Sequence, residues 1–443
     1  MLQNFKKCFR VTVFSAGTLI EMFYCALTFS PLIRTMRVWK TLSMRDTVMT
    51  RGEGCRVWDA EGNSYLDFQS GYWCSVLGYG NPDLIEPVKS QMDRLVNVMS
   101  AFRTEEVELA LHELEKVLPP TLNRAAFLNS GSEAVDLALK MARAATERTG
   151  VVVNERGYYG ATSYPFSLSW PGIEASYLPD PGEVYRLPPP LCQSYEHGSR
   201  ENCTGFKCLD GLQRLVYEGN TNIAAVMYEP VFGAGILVPP IGYGARLRGY
   251  ADALGALLIS EEVTTAPGKT GRWFAYQHDD VEPDILVLGK AVGAGFPVSV
   301  VVTTEEVEER CRDSLRHVQS HQNDAFSGRV VATVFSIIWK QGLVEQAAEK
   351  GMYFLDALKG LAEECSFIVD VRGRGLMFGV ELGEDHAHLG AAIQDRLFER
   401  GYLMDYHAST NTFRFFPPYV ITYEEIDSFI ADLGETLAEL ESS

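Results

Sequence analysis

The stretch Asp284-Ile-Leu-Val-Leu-Gly289-Lys290-Ala-Val-Gly-Ala-Gly295 passes from a short apolar run straight into a lysine set among glycines. An apolar run this short, bounded by an acid and a glycine, suits a strand covered on both faces better than a helix. Glycine allows the backbone beside Lys290 to approach a ligand closely. A lysine desolvated in such a place loses its proton and becomes a Schiff-base nucleophile, although a single lysine is far more often a solvated surface residue.

Similar runs recur on either side, at residues 125–128, 151–154, 223–228, 256–260 and 298–302, separated by helical periodicities such as 132–147 and 243–254. This alternation predicts an α/β chain with a mostly parallel sheet and helices on both faces. Residues 171–207 are rich in Pro, Gly, Ser and Tyr without a period, and are expected to form a long loop lining a site or a subunit interface. Beyond about residue 330 an amphipathic helix (331–340 onward), a strand pair near 367–382 and a final helix from Tyr423 predict an α+β cap. Residues 47–68 are expected to join it, with Asp59-Ala-Glu-Gly62 as a hairpin turn. The expected division is an extension at 1–43, the amino-terminal part of a small domain at 44–95, a large domain at 96–330, and the rest of the small domain at 331–443.

The chain has 443 residues, 46% hydrophobic and 22% charged, with a formal charge of −19. Such a charge argues against a nucleic-acid or anionic-membrane surface, which would repel it. Nine cysteines at irregular spacing make a poor disulfide framework and suit a reducing compartment, so a cytoplasmic location is expected. Cys192, Cys203 and Cys208 cluster without a CxxC and suit loop or packing roles better than zinc. Asn202-Cys203-Thr204 matches a glycosylation sequon, which carries no meaning in a cytosolic chain. The first 43 residues differ from the rest, holding Lys6, Lys7, Arg10, Arg34, Arg37 and Lys40 against Glu21 alone. Their apolar stretch between Val11 and Ile33 leaves three readings open: a membrane or targeting segment, an extra arm, or an over-long start with Met36 or Met44 as the first residue.

Two further motifs carry chemistry. Asn129-Ser-Gly-Ser-Glu-Ala134 follows a short strand and opens a helix, so the N–H groups at Gly131 and Ser132 face outward with the positive end of the helix dipole, a surface suited to phosphate. The same pattern also serves as an ordinary N-cap. Leu257-Leu-Ile-Ser-Glu261-Glu262 ends a strand in two carboxylates, at the end of a parallel sheet where ligands bind. A buried acid there would keep a pyridine nitrogen protonated, whereas the plain alternative is a solvated strand end. Gly268-Lys269-Thr270 imitates the end of a P-loop but has Val263 where the first glycine belongs, and the glycines at 289, 293 and 295 lack dinucleotide spacing.

Taken together, Gly62-Asn-Ser-Tyr-Leu-Asp-Phe-Gln-Ser-Gly71, Ser130-Gly-Ser-Glu-Ala134, Tyr158-Tyr159-Gly160, Glu229-Pro230, Gly268-Lys-Thr-Gly271, Pro283-Asp284, Gly289-Lys290, Val371-Arg-Gly-Arg-Gly375 and Arg414 before Pro417-Pro418 resemble the class III aminotransferases, over about residues 50 to 430. The resemblance implies fold type I, with a large domain built on a mostly parallel sheet of the seven-stranded type. It also implies pyridoxal 5′-phosphate as cofactor and a homodimer with active sites at the subunit interface. The reaction implied is ping-pong transfer of an amino group from an amino acid or amine to a keto acid or aldehyde. By similarity Lys290 carries the cofactor and moves the proton at the substrate α-carbon. Gly131 and Ser132 take the phosphate, Tyr158 stacks on the ring, Glu261 faces the ring nitrogen, and Arg414 receives a substrate carboxylate. Ser320, in a segment similar to dialkylglycine decarboxylase, is implied as the residue that reaches the neighbouring subunit's phosphate, with Ser327 as second choice. Tyr72 and Trp73 are expected to wall the pocket.

Two departures from the family pattern stand out. Glu261 replaces the usual Asp. Ala234 follows Glu229-Pro-Val-Phe-Gly233 where ornithine-type members carry a glutamate that masks the carboxylate-binding arginine, so Arg414 is expected to stay open. Decarboxylation, racemase, aminomutase or lyase chemistry on the same site, and a non-catalytic binding role, are the alternatives.

Overall fold

A computed structural model describes residues 8–15, 18–25, 39, 44–173, 175–178, 180–191 and 205–441. Cys192, Cys203 and the sequon lie outside the described residues. Residues 1–47 and 48–443 form separate compact units. In the first, Cys8–Ser15 pairs antiparallel with Thr18–Cys25 as a hairpin. Among the described residues no helix is long and apolar enough to cross a membrane.

The second unit is built on a seven-stranded sheet. Its strands are β1 (Arg124–Leu128), β2 (Gly150–Asn154), β3 (Val184–Leu187), β4 (Ile223–Tyr228), β5 (Leu257–Glu261), β6 (Ile285–Leu288) and β7 (Ser299–Thr303). Their spatial order is β1-β7-β6-β5-β4-β2-β3, and β7 alone runs antiparallel to its neighbours. Six of the seven match expected runs to within a residue at each end. The seventh, β3, lies in the stretch expected to be wholly loop. It is short and sits at the sheet edge, with three of its four residues only half-buried, so it never shows a continuous apolar run.

The central strands look uniformly apolar because both faces are covered, yet their side chains alternate. Val152, Val226, Leu258, Leu286 and Val300 enter one core with the helices Tyr243–Leu254 and Ala325–Gln341. Val151, Val153, Ala225, Met227, Ile259, Val287 and Val301 enter the other, against α1 (Gly131–Thr146). Each fully buried Val, Leu or Ile contributes roughly 1.5–3 kcal/mol. The helix α1 starts where it does because Ser130 and Glu133 form a reciprocal capping box.

Chain segments from both ends of this unit meet on a second, α+β layer. One antiparallel sheet holds β8 (Ile368–Gly373), β9 (Phe378–Leu382), β10 (Asp405–His407) and β11 (Thr412–Phe415), in the order β8-β9-β11-β10. A second sheet joins Met49–Glu53, Arg56–Asp59 and Ser64–Asp67 to Tyr402–Leu403, with the expected hairpin turn after Asp59. Phe68 packs 4.1 Å from Phe429 of the last helix, Tyr423–Glu441, among Phe354, Tyr402 and Phe415.

Candidate active site

The ends of β1, β5 and β6 converge on one point, which gathers the motifs at Gly131, Glu261 and Lys290 from distant parts of the sequence. A Cβ built on Gly131 would lie 2.9 Å from Val263, and one on Gly289 would lie 3.0 Å from the same side chain. Glycine at 131 is therefore required by packing against the turn after Glu261. Gly160, with φ of 135°, brings the next loop onto α1, where the N–H of Ala161 donates to Ser132 Oγ at 2.9 Å. Glu133 accepts from the N–H groups of Asn129 (3.2 Å) and Ser130 (2.9 Å). The N–H groups of Gly131 and Ser132, in the first turn, have no intrahelical acceptor.

Lys290 follows Gly289 with φ of 42°, a left-handed position. Its Nζ lies 4.7 Å over the face of Trp73 and has no hydrogen-bond or ion-pair partner among the described residues. Burial lowers its pKa below the ordinary lysine value, while Glu261, Cys74 and Glu229 pull in the opposite direction. Glu261 is held well above the usual carboxylate range by burial and then by the neighbouring Glu229, with Lys290 opposing. Glu229 accepts from the N–H of Tyr158 (2.7 Å) and of Gly233 (2.8 Å), and burial raises it to about 7.

Adjacent glutamates at the end of β5 do different work. Glu262 accepts from the N–H groups of Ala275 (2.6 Å) and Tyr276 (2.9 Å) and from the Thr265 hydroxyl (2.8 Å), so it is spent on structure. Among the described residues Glu261 accepts only the N–H of Val263 (3.3 Å) through Oε1, and its Oε2 is buried without a partner. Thr264 Oγ1 is orphaned in the same way, and its Cγ2 lies against Gly233 beside Trp73 and Glu229. Buried polar atoms without partners are rare and mark a place for a ligand group or water. Neither Thr264 nor the role of Glu229 was expected from the sequence, because nothing local shows that their side chains turn inward.

Tyr158 is 40% exposed, and its phenol is raised by burial and then by Tyr72 and Glu261, which places it at the mouth of the same site. Ser70, Gly71, Tyr72 and Trp73 form a left-handed turn, with φ between 47° and 72°. Each non-glycine residue there costs roughly 1–2 kcal/mol. Asp67 holds the turn through the N–H groups of Gln69 and Gly71, both at 2.7 Å. The indole of Trp73 donates to Gln69 Oε1 (3.0 Å), stacks on Phe416 and stands 4.8 Å from the Arg414 guanidinium.

Arg414 does not stand open as expected. Its Nε donates to Asp405 Oδ2 at 2.6 Å, its Nη2 pairs with the same oxygen, and its Nη1 donates to the carbonyl of Gly233 at 3.1 Å. The absence of a glutamate at 234 left this unforeseen, because Asp405 arrives from the neighbouring strand directly opposite Arg414. Ser320 is exposed, and its carbonyl accepts from Asn97 (3.0 Å). Ser327 is buried inside the first turn of a helix capped by Asp324.

A sheet of this order with a lysine after β6, an acid at the end of β5 and a phosphate-type turn after β1 defines a fold type I transferase of the pyridoxal-phosphate class. The family model for class III aminotransferases matches residues 39–437, and the chain belongs to that family, whose members depend on pyridoxal phosphate. It is a transaminase of class III. An acetylornithine aminotransferase from Methanopyrus kandleri is 34% identical over 398 residues, covering 90% of this chain and 96% of that protein. A leucine/methionine racemase from Thermococcus litoralis is 30% identical, covering 89% and 91%. The ornithine aminotransferase of Toxoplasma gondii, a structure with partial occupancy of pyridoxal phosphate at its active site, superposes with a TM-score of 0.80 at 26% identity, covering 91% and 93%.

Proposed function

We propose that this chain binds pyridoxal 5′-phosphate on Lys290 and transfers amino groups between an amino acid or amine and a keto acid or aldehyde. The observation that carries the reading is the buried, unpartnered oxygen of Glu261 close to a lysine that also has no hydrogen-bond or ion-pair partner among the described residues. Glu261 fits the ring nitrogen, Thr264 is a further donor beside it, Gly131 and Ser132 fit the phosphate, and Tyr158 covers the ring. The cofactor, once bound, supplies an electron sink for a carbanion at the substrate carbon. Burial lowers the pKa of Lys290, which favours its Nζ as the group that takes and returns the proton at that carbon. Trp73 shields Nζ from water, and Glu229 anchors Tyr158 and Gly233 on either side of the site.

A homodimer is part of the same proposal. Met92, Leu95, Val96, Met99, Phe102 and Val318 are all at least 40% exposed, and the segments that bear them meet where Phe326 N–H bonds to Val96 and Asn97 bonds to Ser320. An apolar cluster of this kind suits a second copy, with Ser320 at its rim reaching the partner's phosphate. The division into large and small domains at residues 96 and 331, and a reducing, cytoplasmic setting in keeping with the unbridged thiols of Cys55, Cys74, Cys311 and Cys365, complete the proposal.

Borohydride reduction of the protein with bound cofactor, followed by peptide mapping, tests the assignment. A stable adduct on the peptide bearing Lys290 is expected. An adduct on another lysine, or no visible absorption band before reduction, would overturn it.

A further inference from the structure

Arg414 and Lys290 share one indole, with Trp73 at 4.8 Å from the first and 4.7 Å from the second. A substrate amine at Lys290 is therefore one side chain away from a guanidinium, and the state of that guanidinium decides which substrates fit. Asp405 is the cross-strand partner of Arg414 between β10 and β11 and engages it through Nε and Nη2. The Arg414 side chain is 9% exposed against 25% for Asp405. His407, at the other end of β10, is pushed down to about 4 by burial and then by Arg414, so it is neutral and adds no charge. Trp170 packs edge-on against His407 at 5.7 Å.

The nearby Arg372 shows what a purely structural arginine looks like in the same sheet. It pairs with Asp370 and Glu381 and donates to the carbonyls of Gly235 and Ile236 and to Thr412 Oγ1. Two carboxylates lock it, one of them, Glu381, from the inner strand β9, together with the two carbonyls and the Thr412 hydroxyl. Arg414 has one carboxylate, supplied by a three-residue edge strand whose residues are all half-buried. That carboxylate can leave with little loss of packing, and when it leaves it exposes the planar fork that receives carboxylates in pairs of bonds.

We infer that Asp405 is the specificity-determining residue of this site, an internal counter-ion in the fork of Arg414 that a substrate carboxylate must displace. The resting site is therefore matched to primary amines without a carboxylate beside the reacting carbon, and amino acids enter at the expense of the Asp405 pair. This rests on the reading of Lys290 as the amine-exchanging residue, and it assigns the substrate class at that site.

The test compares the holoenzyme with Asp405→Asn and Asp405→Ser, so that a folding defect in one leaves the other. Phenethylamine and phenylalanine, which differ by the carboxylate, are followed as donors in single half-reactions. The kcat/KM ratio of phenylalanine to phenethylamine is expected to rise roughly tenfold in the variants, carried by KM, since a charge-assisted pair that competes with substrate is removed. Asp405→Glu should return the ratio toward the parent value. Calorimetry with 3-phenylpropionate, which has no amine to exchange, should show roughly tenfold tighter binding in Asp405→Asn and loss of that gain when Arg414→Ala is added. A ratio and an affinity both unchanged in a folded variant would sink the inference. The calorimetric arm needs no turnover, so it judges Asp405 even if neither donor reacts, an outcome that would count against the reading of Lys290 instead.

Discussion

Lys269 and Lys290 each follow a glycine, and each is held away from water, but their nitrogens meet different surroundings. Lys269 Nζ donates to the carbonyl of Pro417 and lies 4.2 Å over Phe416 and 5.0 Å over Tyr419. Lys290 Nζ has one aromatic face, no acceptor, and two carboxylates, Glu261 and Glu229, in its electrostatic field. Burial lowers the pKa of both. Desolvation alone therefore does not single out a reactive lysine. What does is an amine with no hydrogen-bond or ion-pair partner among the described residues, next to an acid, Glu261, whose Oε2 is itself unbonded. Lys269 is instead a tie between its own turn, which also accepts the N–H of Leu376 at 2.9 Å, and the segment that follows Arg414.

The contrast is broken most severely at Lys290. Lys290→Ala should lower the rate of amino transfer by at least about 10³-fold, the scale of a lost proton-transferring group, with the fold retained by circular dichroism. Equal loss on Lys269→Ala, at unchanged stability, would erase the distinction. Lys269→Ala should instead destabilise the chain by about 2–4 kcal/mol, through the cavity and the carbonyl of Pro417 left without its donor, read as a shift in the urea midpoint at constant slope. The adduct on Lys290 should persist in that variant.

A smaller effect sharpens the comparison further. Lys269 has its pKa lowered in the folded chain, so between that value and the ordinary lysine value of about 10.4 the unfolded chain binds one more proton. Stability should rise with pH over that window. Lys269→Met should remove up to one proton from the slope, about 1.4 kcal/mol per pH unit, measured by denaturant titration at several pH values.

The legible part of the site came from local signals. Gly289-Lys290 and the capping box at Ser130 each announce themselves through a strand run followed by glycine or by a cap, and the structure brings both to one point. The pair Glu261-Glu262 shows where such signals stop. Two identical residues in sequence turn to opposite sides of a strand end, one into backbone donors and one into the site. Asp405 is a stronger case, since its partner lies nine residues on and depends on the register of β10 against β11. The left-handed turn at Ser70–Trp73 is likewise silent in sequence, because three of its four residues are not glycine and Asp67 supplies the hydrogen bonds that hold it.

The sequence by itself determined the alternation of strands and helices, the position of Lys290 after a buried strand and the family to which those motifs point. These are properties of runs of a few residues, where hydrophobic periodicity and capping act over one or two turns of chain. Only the tertiary structure decided that Glu261 faces the site while Glu262 does not, that Lys269 is satisfied while Lys290 is not, and that Asp405 occupies Arg414. Each of these depends on which donors and acceptors come within about 3 Å across distant segments, a matter of register and packing that no local pattern carries.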